Sequence, residues 1–426
     1  MTTNPTPHSP SETFEQAYIL PALNRRRERG SLRKLVPFHT SEVVDFSSND
    51  YLGLAQNLDQ HAQVQRAYEK LSQRIHLVGS TGSRLLTGDS EYAHHLEEQL
   101  AQWHSRPAAL LCNSGYDANL AVLSSVTRHS IVLLDELCHN SLYMGIQLGK
   151  GSQKIFRHNN TQDLEGLLQQ NTSQENCKQV FIVVESVYSM DGDVGPLQEI
   201  LELALRFRAC VIVDEAHGLG VFGSNGMGVL AALRLENHPA LLCSIHTFGK
   251  AAGCHGAVVC GSIAMKEYLI NYGRPIVYST SLPLHSLVCI ACAYESMRGE
   301  VGRRLRAELY EIVEVFRKGM LKLMAMTGDD SVALVPSYSA VQALIIPGNK
   351  ACVDFCELLW LRSGQRMRLY PIRSPTVPIG QERVRIIVHS HNTKEQVEEL
   401  LYLIKCTMQD MGYLPKDPDG SFRSRM

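Results

Sequence analysis

The chain carries almost no net charge: 41 lysines and arginines meet 43 aspartates and glutamates, a formal balance of -2. That balance gives no electrostatic reason to expect nucleic acid or an anionic membrane as partner. No apolar run is long enough to cross a bilayer. The first 20 residues hold no arginine and carry Glu12 and Glu15 among Thr, Pro and Ser. Such a composition argues against a secretory signal and against an Arg-rich presequence. The 12 cysteines lack a frame, and Cys289–Ile–Ala–Cys292 is the one C-x-x-C. No second pair completes a zinc site, so core packing is the expected use and metal or redox chemistry the alternative. A reducing compartment follows. Internal repeats are absent, as are low-complexity tracts beyond the first dozen residues.

At 426 residues, 44% hydrophobic and 20% charged, the composition is that of a globular protein large enough for two domains. From about residue 46 to 295, buried strand-like runs alternate with helical patterns. Ala108–Cys112, Ser130–Leu134, Val180–Val184, Cys210–Val213, Leu241–Ile245 and Ala257–Cys260 read as strands. Glu91–His104 and Leu197–Phe207 read as helices between them. The alternation predicts an α/β fold with a mainly parallel sheet, which binds ligands at the carboxyl ends of its strands. From 296 to 426 the pattern changes to α+β: a helix Gly302–Met324, a strand Ala340–Ile346, a helix Ala351–Ser363, a strand Arg383–Ser390 and a last helix from Thr393. Residues 1–45 read as an arm, mobile first, then helical and basic through Arg25, Arg26, Arg27, Arg29, Arg33 and Lys34.

Several strand ends carry polar residues whose role is open on spacing alone. Asn113–Ser–Gly–Tyr–Asp117 opens a helix, where backbone N–H groups can seat a phosphate; an ordinary strand-to-helix turn reads the same. His139 follows another strand and can stack on a flat cofactor and donate a proton, or be a satisfied loop histidine. Ser189 lies in a Gly-, Asp- and Pro-rich turn common on structural grounds.

Asp214, in Val213–Asp–Glu–Ala–His217, and Lys250, in Thr247–Phe–Gly–Lys250, are more specific. An aspartate buried at a strand end is costly unless it meets a cation. A protonated pyridine ring is one, and Lys250 lies 36 residues on from Asp214. Together they suit pyridoxal phosphate, with Lys250 holding the aldehyde as a Schiff base. Asp214 would keep the ring nitrogen protonated, His217 would reach the 3′ oxygen, and Thr247 would offer a hydroxyl to the phosphate.

Asn49–Asp–Tyr–Leu–Gly–Leu54, Ser114–Gly–Tyr116, His139, Ser186–Val–Tyr–Ser–Met–Asp–Gly–Asp193, Asp214–Glu–Ala–His217, Thr247–Phe–Gly–Lys250, Tyr278–Ser–Thr–Ser–Leu–Pro283 and Arg373–Ser–Pro–Thr–Val–Pro378 follow one another in this order. On these motifs the chain, from about Arg25 to Ile404, resembles the α-oxoamine synthases, pyridoxal-phosphate enzymes that condense an amino acid with an acyl thioester. The resemblance implies an aspartate aminotransferase-like transferase of fold type I, with a large cofactor domain and a smaller C-terminal one. It implies backbone contacts to the phosphate from Gly115 and Tyr116, His139 stacked on the ring, and cofactor contacts from Ser189 and His217. Asp214 would pair with the ring nitrogen, Thr247 would bind phosphate, and Lys250 would carry the cofactor and act as base. Asn49 and Arg385 would hold the amino acid's carboxylate. Arg33 and Thr376 would meet the acyl group with help from Arg373. Thr280 would reach the phosphate of a partner subunit in a homodimer. No metal is expected.

Within the family, Phe248 before Gly249 and the Thr376–Val–Pro378 segment favour the branch that joins L-alanine to a pimeloyl thioester, on CoA or a carrier protein, in biotin assembly. His255 and the segment Gly79–Ser–Thr–Gly–Ser–Arg84 depart from the family's pattern where an acyl chain would pass. A related synthase with another acyl group or amino acid, a fold-related aminotransferase and a non-catalytic relative are the alternatives; Lys250 and Asp214 speak against the last. Ser424–Arg425–Met426 has the small–basic–apolar form of a peroxisomal address. A frayed tail in an otherwise cytoplasmic protein fits the same three residues.

Overall fold

The computed structural model describes residues 9–33, 35, 43–73, 78–172 and 178–416. Seven strands form the central sheet: β1 (Ala108–Cys112), β2 (Ile131–Asp135), β3 (Ser152–Phe156), β4 (Val180–Glu185), β5 (Cys210–Asp214), β6 (Leu241–Thr247) and β7 (Ala257–Gly261). Their order across the sheet is β1-β7-β6-β5-β4-β2-β3. All run parallel except β7, which is antiparallel to both its neighbours, β1 and β6. The central strands are buried on both faces, and β4 and β7 are buried at every position. This is why they read as unbroken apolar runs rather than alternating ones. Each buried Val, Leu or Ile side chain contributes roughly 1.5–3 kcal/mol.

Between parallel strands the chain crosses back over a face of the sheet, so that the carboxyl ends of these strands meet along one edge. Helix α1 (Gly115–Val126) begins directly after β1, and α2 (Asn140–Gly149) soon after β2. Ser114 caps α1 by accepting the Asp117 N–H at 3.1 Å. The two helices pack so closely that a Cβ on Gly145 of α2 would stand 2.7 Å from that of Leu123 on α1.

The C-terminal part holds a four-stranded antiparallel sheet of β8 (Ala333–Leu334), β9 (Val341–Ile345), β10 (Tyr370–Ile372) and β11 (Arg383–Ile387), in the order β10-β11-β9-β8. Helices α4 (Glu300–Met324), α5 (Asn349–Arg362) and α6 (Lys394–Asp410) accompany it, and Thr393 closes the start of α6 with a capping box. Helix α3 (Leu284–Arg298) runs through the expected domain boundary near 295, and the chain breaks helix only at Gly299. One apolar cluster runs from Leu96 and Phe248 through Tyr294 and Phe316 to Val341 and Ile386, so the two sheets share a core.

The segment after the arm belongs with the smaller sheet. Val44–Asp45 pairs in parallel with Met367–Arg368. Ile387 then donates its N–H to Phe46 O at 2.8 Å, and Ser390 to Tyr51 O at 2.9 Å. Asn49 and Tyr51 are thereby carried by the C-terminal part, although they precede the large sheet in sequence.

The arm is helical from Pro10, with a short π-helical stretch at Glu15–Ile19 before Leu20–Glu28. Cys289 and Cys292 lie on α3, partly buried and buried respectively, and no disulfide forms among the described cysteines.

Candidate active site

The carboxyl ends of β1, β2, β4, β5 and β6 surround a cavity of about 510 Å³. Gly115, His139, Glu185, Asp214 and Lys250 line it, each from the end of a different strand or the turn after it. His217, Ser189, Thr247 and Tyr116, also expected from sequence, line it as well.

Asp214 is buried and has no ion-pair partner among the described residues. Its Oδ1 accepts the Ala216 N–H at 2.9 Å, and its Oδ2 accepts Asn119 Nδ2 at 2.7 Å. Asn119 donates from the same nitrogen to Ser141 Oγ at 2.8 Å, and Ser141 Oγ lies 2.7 Å from His139 Nδ1. The Ser141 backbone N–H also points at that nitrogen, at 3.2 Å. A backbone N–H can only donate, so His139 Nδ1 is the acceptor and its proton sits on Nε2. Burial pushes the His139 imidazole below its ordinary range, against the pull of Asp214. His139 is therefore a neutral donor.

A second network runs along the other side. Tyr51 Oη is 2.6 Å from His217 Nδ1 and 3.2 Å from Asn49 Oδ1. Arg385 Nη2 donates to the same Asn49 oxygen at 3.0 Å, and its Nε donates to the Ser189 carbonyl at 2.8 Å. Arg385 thus ties the C-terminal sheet to both Asn49 and the Ser189 turn. Burial, then the charges of Lys250 and Arg385, hold His217 well below its usual range, so it is neutral as well. Burial raises the Tyr51 hydroxyl to about 12, leaving it protonated.

Lys250 follows β6 in a tight turn closed by Gly253 N–H to Lys250 O at 2.8 Å. Burial brings its amine down to about 8, with Asp214 and then Glu185 opposing the shift. Glu185 ends β4 as Asp214 ends β5, and accepts the His139 N–H at 2.5 Å. Burial and the neighbouring Asp214 charge push its carboxyl up. An amine titrating near neutrality is what a Schiff-base lysine and a proton acceptor both need.

At the other end of the cavity, Gly115 begins α1, where the first N–H groups have no partner within the helix. A Cβ there would come within 3.0 Å of Thr247 Oγ1, so glycine leaves the helix start and the Thr247 hydroxyl open to a shared ligand. The donor set fits pyridoxal phosphate: an anion-accepting helix start and hydroxyl, a buried unpaired carboxylate, a neutral imidazole on each side and a lysine with a lowered pKa.

The remaining expected residues fall elsewhere. Tyr116 lines the cavity but is 43% exposed. Thr280 is exposed and lies outside the lining, with its carbonyl accepting Asn113 Nδ2 at 2.8 Å. Arg33 lines a different cavity beneath the arm. Arg373 donates to Gly30 O, and Thr376 is exposed with its N–H bonded to Arg373 O at 2.9 Å. The single chain therefore brings together the expected cofactor residues other than Thr280, and leaves Arg33, Arg373 and Thr376 apart from them.

Asn119, Ser141, Glu185 and Tyr51 were not singled out from sequence. Glu185 carries the same signal as Asp214, an acid closing an apolar strand. Ser141 sits two residues beyond His139, in reach of its ring. Asn119 stands one helical turn after Gly115, on the face that meets the cavity. Glu215, between Asp214 and His217, is structural: it accepts the Val229 and Leu230 N–H groups at 3.0 and 2.7 Å and the Ser186 hydroxyl at 2.6 Å.

The depressed Lys250 amine gives a direct test on cofactor-free protein. Only the neutral amine reacts with acetic anhydride, so labelling of Lys250, followed by peptide mass spectrometry, should rise with a midpoint near pH 8. An ordinary surface lysine continues to rise towards about 10.4. A Lys250 profile that follows the surface lysines would contradict the buried-amine account.

The family described as aminotransferase class I and II matches residues 41–404. The 8-amino-7-oxononanoate synthase of Emericella nidulans is 37% identical over 405 residues, covering 92% of this chain and 95% of that protein. Among solved structures, a serine palmitoyltransferase with pyridoxal phosphate has a TM-score of 0.81 at 24% identity, covering 96% of this chain and 100% of that one. The 8-amino-7-oxononanoate synthase of Francisella tularensis has a TM-score of 0.71 at 24% identity, covering 87% and 99%. These two likenesses establish the fold, and the sequence match over nearly the whole chain establishes the kinship. The chain belongs to the aminotransferase class I and II family, and within it to the α-oxoamine synthases.

Proposed function

We propose that this chain condenses L-alanine with a pimeloyl thioester, releasing the thiol and carbon dioxide and forming 8-amino-7-oxononanoate for biotin assembly. The observation that carries this reading is the meeting of Lys250, Asp214, His217 and His139 on one cavity. It is supported by a relative of that activity, 37% identical over 92% of the chain.

When bound, pyridoxal phosphate supplies an electron sink for the pair left on the amino acid's α-carbon. The chain's own residues do the rest. Gly115 and Thr247 would hold the phosphate, and Asp214, kept in place by Asn119 and the Ala216 N–H, would meet the ring nitrogen's proton. Lys250 would hold the aldehyde, then, once displaced by alanine, take the α-proton. Arg385, with its guanidinium aligned by Ser189 O and Asn49, would clasp alanine's carboxylate. The α-carbon attacks the thioester carbonyl, and His139 Nε2–H faces the negative charge that develops on its oxygen. The carbon–sulfur bond breaks and the thiol departs with a proton. The carboxylate then leaves as carbon dioxide, and its electron pair returns to the α-carbon, which is reprotonated.

Carboxyl-labelled L-alanine should release labelled carbon dioxide only when pimeloyl thioester is present, with one thiol freed per carbon dioxide. Lys250→Ala should lower that release by about 10²–10⁴-fold, the range for loss of a general base. Amino transfer to an oxo acid without thioester, or a preference for serine with palmitoyl-CoA, would reject the assignment.

We also propose that two copies associate, with Thr280, exposed on its own chain, reaching the phosphate end of the partner's cavity. Sedimentation equilibrium should then return about twice 47.5 kDa. A monomeric mass with full activity would refute it.

Ser424–Arg425–Met426 lies outside the described residues; we propose that it directs the chain to peroxisomes. A fluorescent protein extended by the last dozen residues should gather in peroxisomes, and diffuse fluorescence would dismiss the address.

A further inference from the structure

Outside the Lys250 cavity, one histidine stands between two aspartates. His158 lies just past β3, with Nδ1 2.9 Å from Asp135 Oδ1 and Nε2 2.7 Å from Asp193 Oδ2. Both carboxylates are accepting elsewhere too. Asp135 takes the Leu137 N–H on Oδ1 at 2.9 Å and the Asn159 N–H on Oδ2 at 2.8 Å. Asp193 Oδ2 takes Asn159 Nδ2 at 2.6 Å. With an acceptor at each ring nitrogen, His158 carries both protons and is an imidazolium. Burial works against that charge, but the bonds to Asp135 and Asp193, and then their charges, outweigh it and raise the ring to about 9.

Other charged groups face the same ring. Glu136 Oε1 accepts the His158 N–H at 2.8 Å, and Asp191, paired with Arg383 of β11, has a carboxylate oxygen within 4.8 Å of it. His158, Asp191 and Asp193 are close enough together to hold a metal ion. A doubly protonated ring has no lone pair to offer one, so the imidazolium is itself the cation of this group.

What the imidazolium holds is the turn that carries Ser189. The Asp193 carbonyl accepts the Tyr188 N–H at 3.0 Å, and the Gly192 N–H reaches Tyr188 O at 2.8 Å. The Tyr188 ring meets His158 edge-on, with centroids 4.4 Å apart. His158 thus fastens this turn to Asp135, which is fully buried at the end of β2. From the smaller sheet's side, Arg383 grips Asp191 and Ser337 Oγ donates to Gly192 O at 2.9 Å. Between the two clamps the Ser189 carbonyl accepts Arg385 Nε at 2.8 Å. That carbonyl and Asn49 Oδ1 are the two acceptors that orient the guanidinium.

We propose that His158 is a positioning residue for the amino-acid substrate: through Asp193 it fixes the Ser189 turn, whose carbonyl aims Arg385 at the substrate's carboxylate. His158 does not line the cavity and touches no reacting atom. Its role rests on the reading of Arg385 given above and adds a residue that acts through it. Removing the imidazolium would leave Asp135 buried without a counter-charge and Asp193 free to swing from it. The ring's pKa lies above its ordinary value of about 6.5, so the clamp is complete below that pH and is lost as pH rises through about 9.

The test uses the holoenzyme with His158→Gln and, separately, Asp193→Asn, which keeps the size of the side chain and removes its charge. In His158→Gln, both KM for alanine and the calorimetric Kd for alanine without thioester should rise about tenfold, the size of a lost charge-assisted hydrogen bond. KM for the pimeloyl thioester and kcat should stay within about twofold. The ratio of variant to wild-type alanine Kd should fall towards one above pH 9, since the wild-type clamp is then lost as well. Alanine's own amine and Lys250 titrate in both proteins and cancel in that ratio. By NMR the His158 ring should titrate near 9 in the wild type and lower in Asp193→Asn. Asp193→Asn should also weaken alanine binding, which keeps the test decisive if His158→Gln does not fold. A wild-type ring titrating near its ordinary value, or alanine affinity unchanged in the variants, would overturn the proposal. So would an equal rise in KM for alanine and thioester, the mark of a general loss of structure. If the wild type turns over no thioester, the condensation reading fails while alanine affinity and the ring titration still decide the role of His158.

Discussion

The structure turns on a carboxylate that has been taken out of water without a contacting ion-pair partner. Asp214 ends β5, buried, with Asn119 and the Ala216 N–H on its two oxygens and no ion pair among the described residues. Burying such an anion costs several kcal/mol after relaxation, and the sheet tolerates it because hydrogen bonds keep it oriented. The same arrangement reserves it for a ligand that brings its own proton. Asn119 does more than satisfy the carboxylate. Through Ser141 it fixes the tautomer of His139, so the anion and the proton donor of the site are held by one amide. A shift of α1 against α2 would disturb both.

The cavity lies where two parts of the chain meet, and Arg385 joins them. It stands on the smaller sheet, yet bonds to Ser189 beyond β4 and to Asn49 on the segment before the large sheet. Through Tyr51 that same segment reaches His217. The continuous apolar core beneath, running from Phe248 to Ile386, keeps the two parts in register. Charge is arranged to match: burial, then Lys250 and Arg385, depress the His217 pKa, while Asp214 and Glu185 offset part of the lowering that burial imposes on Lys250.

Much of this was legible in the sequence, and the reasons differ by residue. The six strands expected in the large part are all present because burial on both faces leaves short apolar runs bounded by turn residues. β3 escaped notice because it is the sheet's edge: Ser152, Gln153 and Lys154 are partly or fully exposed, and the run is polar where the others are not. Asp214, His217 and Lys250 could be read because their chemistry is unusual for a strand end and its turn. Asn119 could not, since an asparagine inside a helix means nothing until that helix is packed. Its role follows from the closeness of α1 and α2, which is a tertiary fact. Glu185 was available to the same reasoning as Asp214, an acid closing a buried strand, but no histidine follows it within the same turn as His217 follows Asp214. The domain division near 295 follows a real change of pattern, from alternating strands to long helices. Helix α3 nonetheless runs straight through it, because helical propensity is local and domain membership is set by packing.

The acyl side is less legible for a physical reason. A cofactor site is built from short side chains at fixed strand ends, so its parts stay within a turn or two of readable elements. A long thioester instead lies across surfaces that distant segments supply. The arm and the stretch around Ser374, which the resemblance links to the acyl substrate through Arg33 and Thr376, are joined by Arg373 and Gly30 O. Neither Arg33 nor Thr376 is a member of the Lys250 cavity. The pairing of Tyr370 with Arg385 joins the Ser374 stretch to the residue that bonds Asn49 and the Ser189 turn. The smaller sheet thus brings Arg385 to the edge of the site, while the large sheet supplies Lys250, Asp214, His139 and His217 from the ends of its strands.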